Sequence, residues 1–212
     1  MVFPCIFQEK WQKYLVVGDK CGILKNGLLL RFIYRSRKRK EAVRVNLKQL
    51  LEGISYEVQQ GTADVEISDF QYDSRKVEKD GLFVCITGFQ TDGHKYIPMA
   101  LEKGAVALLC EHRVENVPEG VTVLVTENNR IALALLSDHF YGHPSAEMNV
   151  IGVTGTNGKT STTYLMKSIL DRIGKKVGII GTIENRIGDE VLKAERTTPE
   201  SKELQALFRR MK

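Results

Sequence analysis

The sequence predicts an α/β protein in two parts: an α/β first domain, followed by the opening of a phosphate-loop domain. Three observations support this. From residue 46 onward, short apolar runs alternate with stretches of helical period. A turn-rich segment, Tyr141-Gly142-His143-Pro144-Ser145, interrupts the alternation. After it, Gly155-Thr156-Asn157-Gly158-Lys159-Thr160 lies between an apolar strand and an amphipathic helix.

The elements follow in order. A short helix at 47–51 ends at Gly53. Val65, Ile67, Phe70 and Tyr72 suggest a strand running into Asp73-Ser74-Arg75. Gly81 opens a buried strand at 82–86 and Gly88 closes it. A helix at 96–103, stopped by Gly104, leads to a strand at 105–110. Another strand at 121–125 precedes a helix that starts at Asn128-Asn129, with Ile131, Leu135, Leu136 and Phe140 as its apolar face. Beyond the turn segment come a strand at 149–153 and a helix at 159–173, with Leu165, Ile169, Leu170 and Ile173 on one side. A strand at 176–180 follows, then a hairpin turning at 186–189 and a helix over 199–212. A β-α-β opening without later strands does not complete a doubly wound sheet, so the second domain reads as truncated.

Composition bounds the function. At 212 residues, 42% hydrophobic and 27% charged, the chain is an ordinary globular protein with no apolar run long enough to cross a bilayer. The net charge of +5 is concentrated at the start: residues 1–44 hold 11 Lys/Arg against 3 Asp/Glu, and the remainder is mildly acidic. A nucleic-acid partner is therefore not expected. The four cysteines, Cys5, Cys21, Cys85 and Cys110, form no CxxC pair, and Cys85 and Cys110 lie in apolar runs as small buried hydrophobes. This is the pattern of a reduced, cytoplasmic protein. The four histidines are scattered and read as structural or surface residues.

The phosphate loop carries the chemistry. Gly155 and Gly158 allow backbone N–H groups to approach phosphate oxygens, and the helix N-terminus adds partial positive charge. Lys159 would reach the β and γ phosphates of ATP, and Thr160 would offer its hydroxyl to Mg²⁺. The cofactor-binding set is Gly155, Thr156, Asn157, Gly158, Lys159, Thr160 and Ser161, with Lys159 also the catalytic candidate. Val153 stands where the generic motif has its first Gly, so the loop is a narrow variant.

That variant resembles the central-domain ATP loop of the Mur ligase family and of folylpolyglutamate synthetases, which typically continue Gly-Lys-Gly-Ser where this chain has Gly158-Lys159-Thr160-Ser161. Upstream, Asp73-Ser74-Arg75, Gly81-Leu82-Phe83-Val84, Asp92-Gly93, Tyr96-Ile97-Pro98 and Gly104-Ala105 resemble the UDP-binding domain of Mur ligases. Thr197-Thr198-Pro199-Glu200 is similar to the substrate segment of the third-residue-adding branch, and Thr156 stands where the dipeptide-adding branch more often has Ser. The resemblance implies an ATP- and Mg²⁺-dependent amide-forming ligase of peptidoglycan precursor synthesis. It would activate UDP-N-acetylmuramoyl-L-alanyl-D-glutamate as an acyl phosphate and add L-lysine or meso-diaminopimelate. The alternatives are the D-alanyl-D-alanine-adding ligase and a UDP-substrate- and ATP-binding fragment without catalysis.

By the same resemblance, Ser74, Gln90 and Thr91 contact the nucleotide end of the substrate, and Thr197 and Thr198 hydrogen-bond its muramoyl part. Phe89 and Arg196 depart from the family's usual His and Asn. The implied organisation is a basic extension at 1–45, a UDP-substrate domain at 46–147 and the start of a Mur ligase central domain at 148–212. A chain of this extent is expected to be monomeric and inactive alone. Residues 1–44 show no sustained strand or helix period, and Lys40-Glu41-Ala42 can be encoded by a purine-rich ribosome-binding site, so translation is expected to start at Val45.

Overall fold

The computed structural model describes residues 12–18, 44–88, 91–194 and 196–212. The chain divides into two compact units, one of residues 31–140, the other of residues 1–30 together with 141–212. The division after Phe140 lies at the start of the turn segment, seven residues before the expected boundary at 147.

The strand β1, Gln12–Gly18, belongs to the second unit. In the 31–140 unit, β2 (Val45–Asn46) pairs with β4 (Glu66–Ile67), and between them lie α1 (Leu47–Leu50) and β3 (Glu57–Gln60). The five-stranded sheet has the order β3-β8-β7-β6-β5, with β5 Phe70–Gln71, β6 Gly81–Val84, β7 Ala105–Cys110 and β8 Thr122–Val125. β5 to β8 run parallel and β3 antiparallel at one edge. The expected strand over 65–72 is thus two short ones, on different sheets.

Both faces of this sheet are covered, which is why its strands read as unbroken apolar runs. Leu82, Val84, Ala107, Leu109 and Leu124 pack on one side with Leu47, Leu50 and Leu51 of the α1 region and with α3 (Asn129–Phe140). Phe83, Cys85, Leu108, Cys110 and Val123 pack on the other with Ile97 and Ala100 of α2 (Ile97–Glu102). α3 buries Asn129, Ala132, Leu133, Leu136 and Ser137, while Ile131 is 46% exposed. Of the expected face Leu136 is buried and Phe140 packs against the core, while Asn129 and Ser137 join the buried side by satisfying their polar groups internally: Asn129 donates to the carbonyls of Cys85 and Leu109, and Ser137 to that of Leu133.

In the other unit the sheet order is β12-β11-β10-β1-β9, with β9 Asn149–Thr154, β10 Lys176–Ile180, β11 Glu184–Ile187 and β12 Glu190–Lys193. α4 (Lys159–Arg172) covers Val177 and Ile179 with Tyr164, Met166 and Leu170. α5 (Ser201–Met211) covers Ile180 with Leu204, Leu207 and Phe208. Two expectations are corrected here. Residues 12–18, assigned to an extension without strand character, form β1, which pairs antiparallel with both β9 and β10. Tyr14-Leu15-Val16-Val17 is a continuous apolar run, the pattern of an interior strand rather than of an alternating one. The remainder of the proposed extension before Arg44 lies outside the described residues. The α4 stripe also differs: Leu165, Ile169 and Ile173 are 65, 63 and 64% exposed, and only Leu170 of the expected face packs inward. No helix among the described residues is long and apolar enough to cross a membrane.

Candidate functional site

The phosphate loop follows the edge strand β9 and opens α4. Gly155 has φ 143° and Gly158 φ 78°, backbone that L side chains rarely adopt. A Cβ on Gly158 would meet nothing within 4 Å, so glycine serves conformation there, not packing. Residues 154–158 are all exposed. The Lys159 ammonium donates to the carbonyls of Gly155 at 2.5 Å and Thr156 at 3.2 Å, folding the side chain back over the loop. The charge thereby sits where phosphate oxygens would arrive beside the helix N-terminus. Within α4, Thr162 N–H donates to Gly158 O and the buried Thr163 hydroxyl to Thr160 O, which fixes the first turn. Thr160 is half-buried and Ser161 exposed on that turn. These groups fit a phosphate chain, and the Thr160 hydroxyl is the group that would be available as one ligand to Mg²⁺.

Thr197 and Thr198 belong to the same unit, half-buried and exposed respectively, in the bends before α5. Arg196, a departure from the family pattern, pairs with Glu200 at 3.4 Å on the surface.

Ser74 and Thr91 lie in the 31–140 unit. Asp73 caps the 3-10 turn Ser74–Lys76, accepting from Arg75 N and from its guanidinium. The Arg75 side-chain hydrogen bond holds the Asp73 carboxyl below its ordinary value despite partial burial. Ser74 itself is buried, and its hydroxyl donates to the Met99 sulfur at 3.3 Å. Thr91 is exposed, with its hydroxyl 3.2 Å from that of Tyr96. Gln90 and Phe89 lie outside the described residues. The structure thus gathers the loop residues 155–161 into one site and sets Thr197 and Thr198 in the same unit, while Ser74 and Thr91 occupy the other.

Three arrangements were not foreseen from sequence. Asn129 is fully buried and ties β6, β7 and Thr126 together, a role hidden behind its helix-start signal. Gln59 in β3 donates to Val114 O and accepts from Val114 N, extending the sheet edge with a side chain that imitates backbone. Cys85 and Cys110, 25 residues apart, bring their sulfurs to 3.9 Å.

Comparison with known proteins covers both units. Residues 66–141 match the model of the Mur ligase family catalytic domain, and residues 153–212 that of the Mur ligase middle domain. The chain is 48% identical over 164 residues to UDP-N-acetylmuramoyl-L-alanyl-D-glutamate--2,6-diaminopimelate ligase 1 of Clostridium acetobutylicum, covering 77% of this chain and 34% of that protein. It is 46% identical over 164 residues to the ligase of the same type from Caldanaerobacter subterraneus subsp. tengcongensis, with the same coverage. A solved structure of a UDP-N-acetylmuramoyl-L-alanyl-D-glutamate--2,6-diaminopimelate ligase superposes with a TM-score of 0.60 at 21% identity, covering 79% of this chain and 33% of that one, a likeness of fold. The chain spans about one third of the length of the curated relatives it matches.

Proposed function

This chain belongs to the Mur ligase family, and we propose that it is the front portion of an ATP-dependent ligase adding 2,6-diaminopimelate to UDP-N-acetylmuramoyl-L-alanyl-D-glutamate. The observation that carries this reading is the phosphate loop: two glycines at positive φ, and a lysine already folded over the loop's carbonyls, in a chain whose relatives of that name match across both units.

Gly155 to Ser161 would cradle the triphosphate, with Lys159 neutralising charge on the transferring phosphoryl group and Thr160 giving one ligand to Mg²⁺. ATP supplies the phosphoryl group that makes a carboxylate reactive toward an amine. Thr197 and Thr198 would hold the muramoyl part, and Gln90 and Thr91 the nucleotide end, where neutral donors and acceptors suit a pyrimidine and a sugar. For Ser74 the reading requires its hydroxyl to leave the Met99 sulfur, a weak acceptor readily exchanged for an oxygen. The 31–140 unit would thus take the nucleotide end of the substrate, and the other unit ATP and the muramoyl part, in a monomer working in the cytoplasm.

The test is a ligation assay on the full-length protein, supplied with ATP, the UDP-muramoyl dipeptide and, in turn, diaminopimelate, L-lysine or D-alanyl-D-alanine. Phosphate release with diaminopimelate is expected. Release with lysine alone would change the amino acid proposed, and release only on a tripeptide substrate with D-alanyl-D-alanine would overturn the reading.

A further inference from the structure

We propose that Cys85, Cys110 and His94 form a binding site for one divalent cation of the zinc class, at the carboxyl end of the parallel sheet in the 31–140 unit. The inference is independent of the ligase reading.

Cys85 follows β6 and Cys110 closes β7, two adjacent parallel strands paired in register at Val84 and Leu109. Cys85 N donates to Leu109 O at 2.8 Å, continuing the ladder, so the two side chains leave the same face side by side. Their sulfurs stand 3.9 Å apart. Two thiolates about 2.3 Å from a tetrahedral zinc lie about 3.8 Å from one another, so the pair is already at ligand spacing.

The third donor comes from a loop folded back onto the strand ends. Gly93 makes this return possible: a Cβ there would lie 2.7 Å from the backbone nitrogen of Ile86. The next residue, His94, is thereby brought in until donor atoms of Cys85, His94 and Cys110 all lie within 4.8 Å of one another. Its ring is nearly buried and stacks on His112 with centroids 3.9 Å apart.

Asp92 distinguishes this group from an ordinary buried thiol pair. Its carboxylate lies 2.5 Å from His94 Nδ1 and also accepts from His94 N, fixing the ring's orientation. A metal-binding histidine characteristically has its second nitrogen held by a carboxylate in this way. The nitrogen left for a cation is Nε2, which accepts from Glu111 N–H at 3.0 Å. Binding would exchange that hydrogen bond for the metal, release the protons of both thiols and leave a fourth position open to water. Two sulfurs and an imidazole select zinc-class ions over magnesium or calcium. Such an ion would staple the 91–96 segment, which carries Thr91, to the sheet.

Titration of the 212-residue chain with Co²⁺, kept reduced with a phosphine, tests the site directly. One equivalent should give thiolate-to-cobalt charge transfer together with intense visible bands of tetrahedral cobalt. Cys85→Ala or Cys110→Ala should abolish the charge transfer of this site, and Asp92→Asn should weaken binding about 10- to 100-fold. A chain carrying Cys5→Ala and Cys21→Ala should titrate like the parent. Absence of the bands, or their loss only with Cys5 and Cys21, overturns the proposal. X-ray absorption on the zinc-loaded unaltered chain decides the matter even where a cysteine variant fails to fold: two sulfur ligands are expected, and none or four would refute it.

Discussion

The two five-stranded sheets are built from similar apolar residues but are covered to different degrees. In the 31–140 unit, Leu82, Phe83, Val84, Leu108, Leu109, Val123 and Leu124 are all essentially inaccessible, with partners on both faces. In the unit of 141–212 with β1, the phosphate-loop strand β9 lies at a sheet edge with no buried residue, and α4 exposes Leu165, Ile169 and Ile173. An apolar stripe at i, i+4 and i+8 is the mark of a helix face that packs. Two consecutive domains of one sequence can thus share a pattern and still differ in how much of it is used: the first satisfies its pattern internally, and the second holds the proposed phosphate loop on a less consolidated frame.

The largest expected effect separates chemistry from stability. In the full-length protein, Lys159→Ala should lower kcat by about 10²- to 10³-fold, the usual loss of one preorganised charge in a transition state. The same change should leave the unfolding of the 31–140 unit unaltered, since Lys159 opens α4 in the other unit. Steady-state kinetics and thermal melts check both halves, and near-normal turnover would remove Lys159 from the mechanism.

The second prediction sharpens the contrast in packing. Leu136→Ala, in the fully buried face of α3, should destabilise its unit by about 2–5 kcal/mol. Leu165→Ala, Ile169→Ala and Ile173→Ala in this chain should each stay within about 0.5 kcal/mol, as exposed positions do. Urea unfolding of each variant measures the difference, and comparable losses at both sets of positions would erase the contrast.

The smallest effect concerns pH. The folded-state pKa of Asp73 lies below its ordinary value of 3.8, chiefly through the Arg75 hydrogen bond. Its contribution is therefore present above that ordinary value and lost as pH falls through the lowered one. Because Arg75 is largely exposed, the pair contributes little. Asp73→Asn should slightly flatten the acid limb of the stability curve and leave neutral stability nearly unchanged, as urea midpoints at several pH values would show.

Much of the fold was legible because local signals and burial agreed. Ala105–Cys110 is a strand buried on both faces and reads as one, and Gly-Lys-Thr at a strand–helix junction has a mechanism that few other contexts require. Legibility failed where tertiary contacts outweighed pattern. β3, Glu57-Val58-Gln59-Gln60, is polar because it is an edge strand, and its glutamines bond to backbone 55 to 61 residues away. β1 was missed because interior strands do not alternate. The face of α3 is legible only in part, at Leu136 and Phe140, because a buried Asn and Ser occupy positions that an apolar count leaves out. Ser74 and Thr91 could be selected by resemblance, but neither the burial of the first nor the exposure of the second can be read from spacing. The approach of His94 to Cys85 and Cys110 depends on strand register and a loop return at Gly93, neither of which is visible in a linear count of cysteines.

The difference between the two units is tested most directly by residue-resolved hydrogen exchange on the 212-residue chain under native conditions. Amides of β6, β7 and β8 should exchange only through global opening of their unit, and those of β9 and β10 should exchange faster through local opening, since an edge strand and a partly covered sheet open at lower free energy. Uniformly slow exchange through Val150–Ile180, matching that of Leu82–Val125, would contradict it.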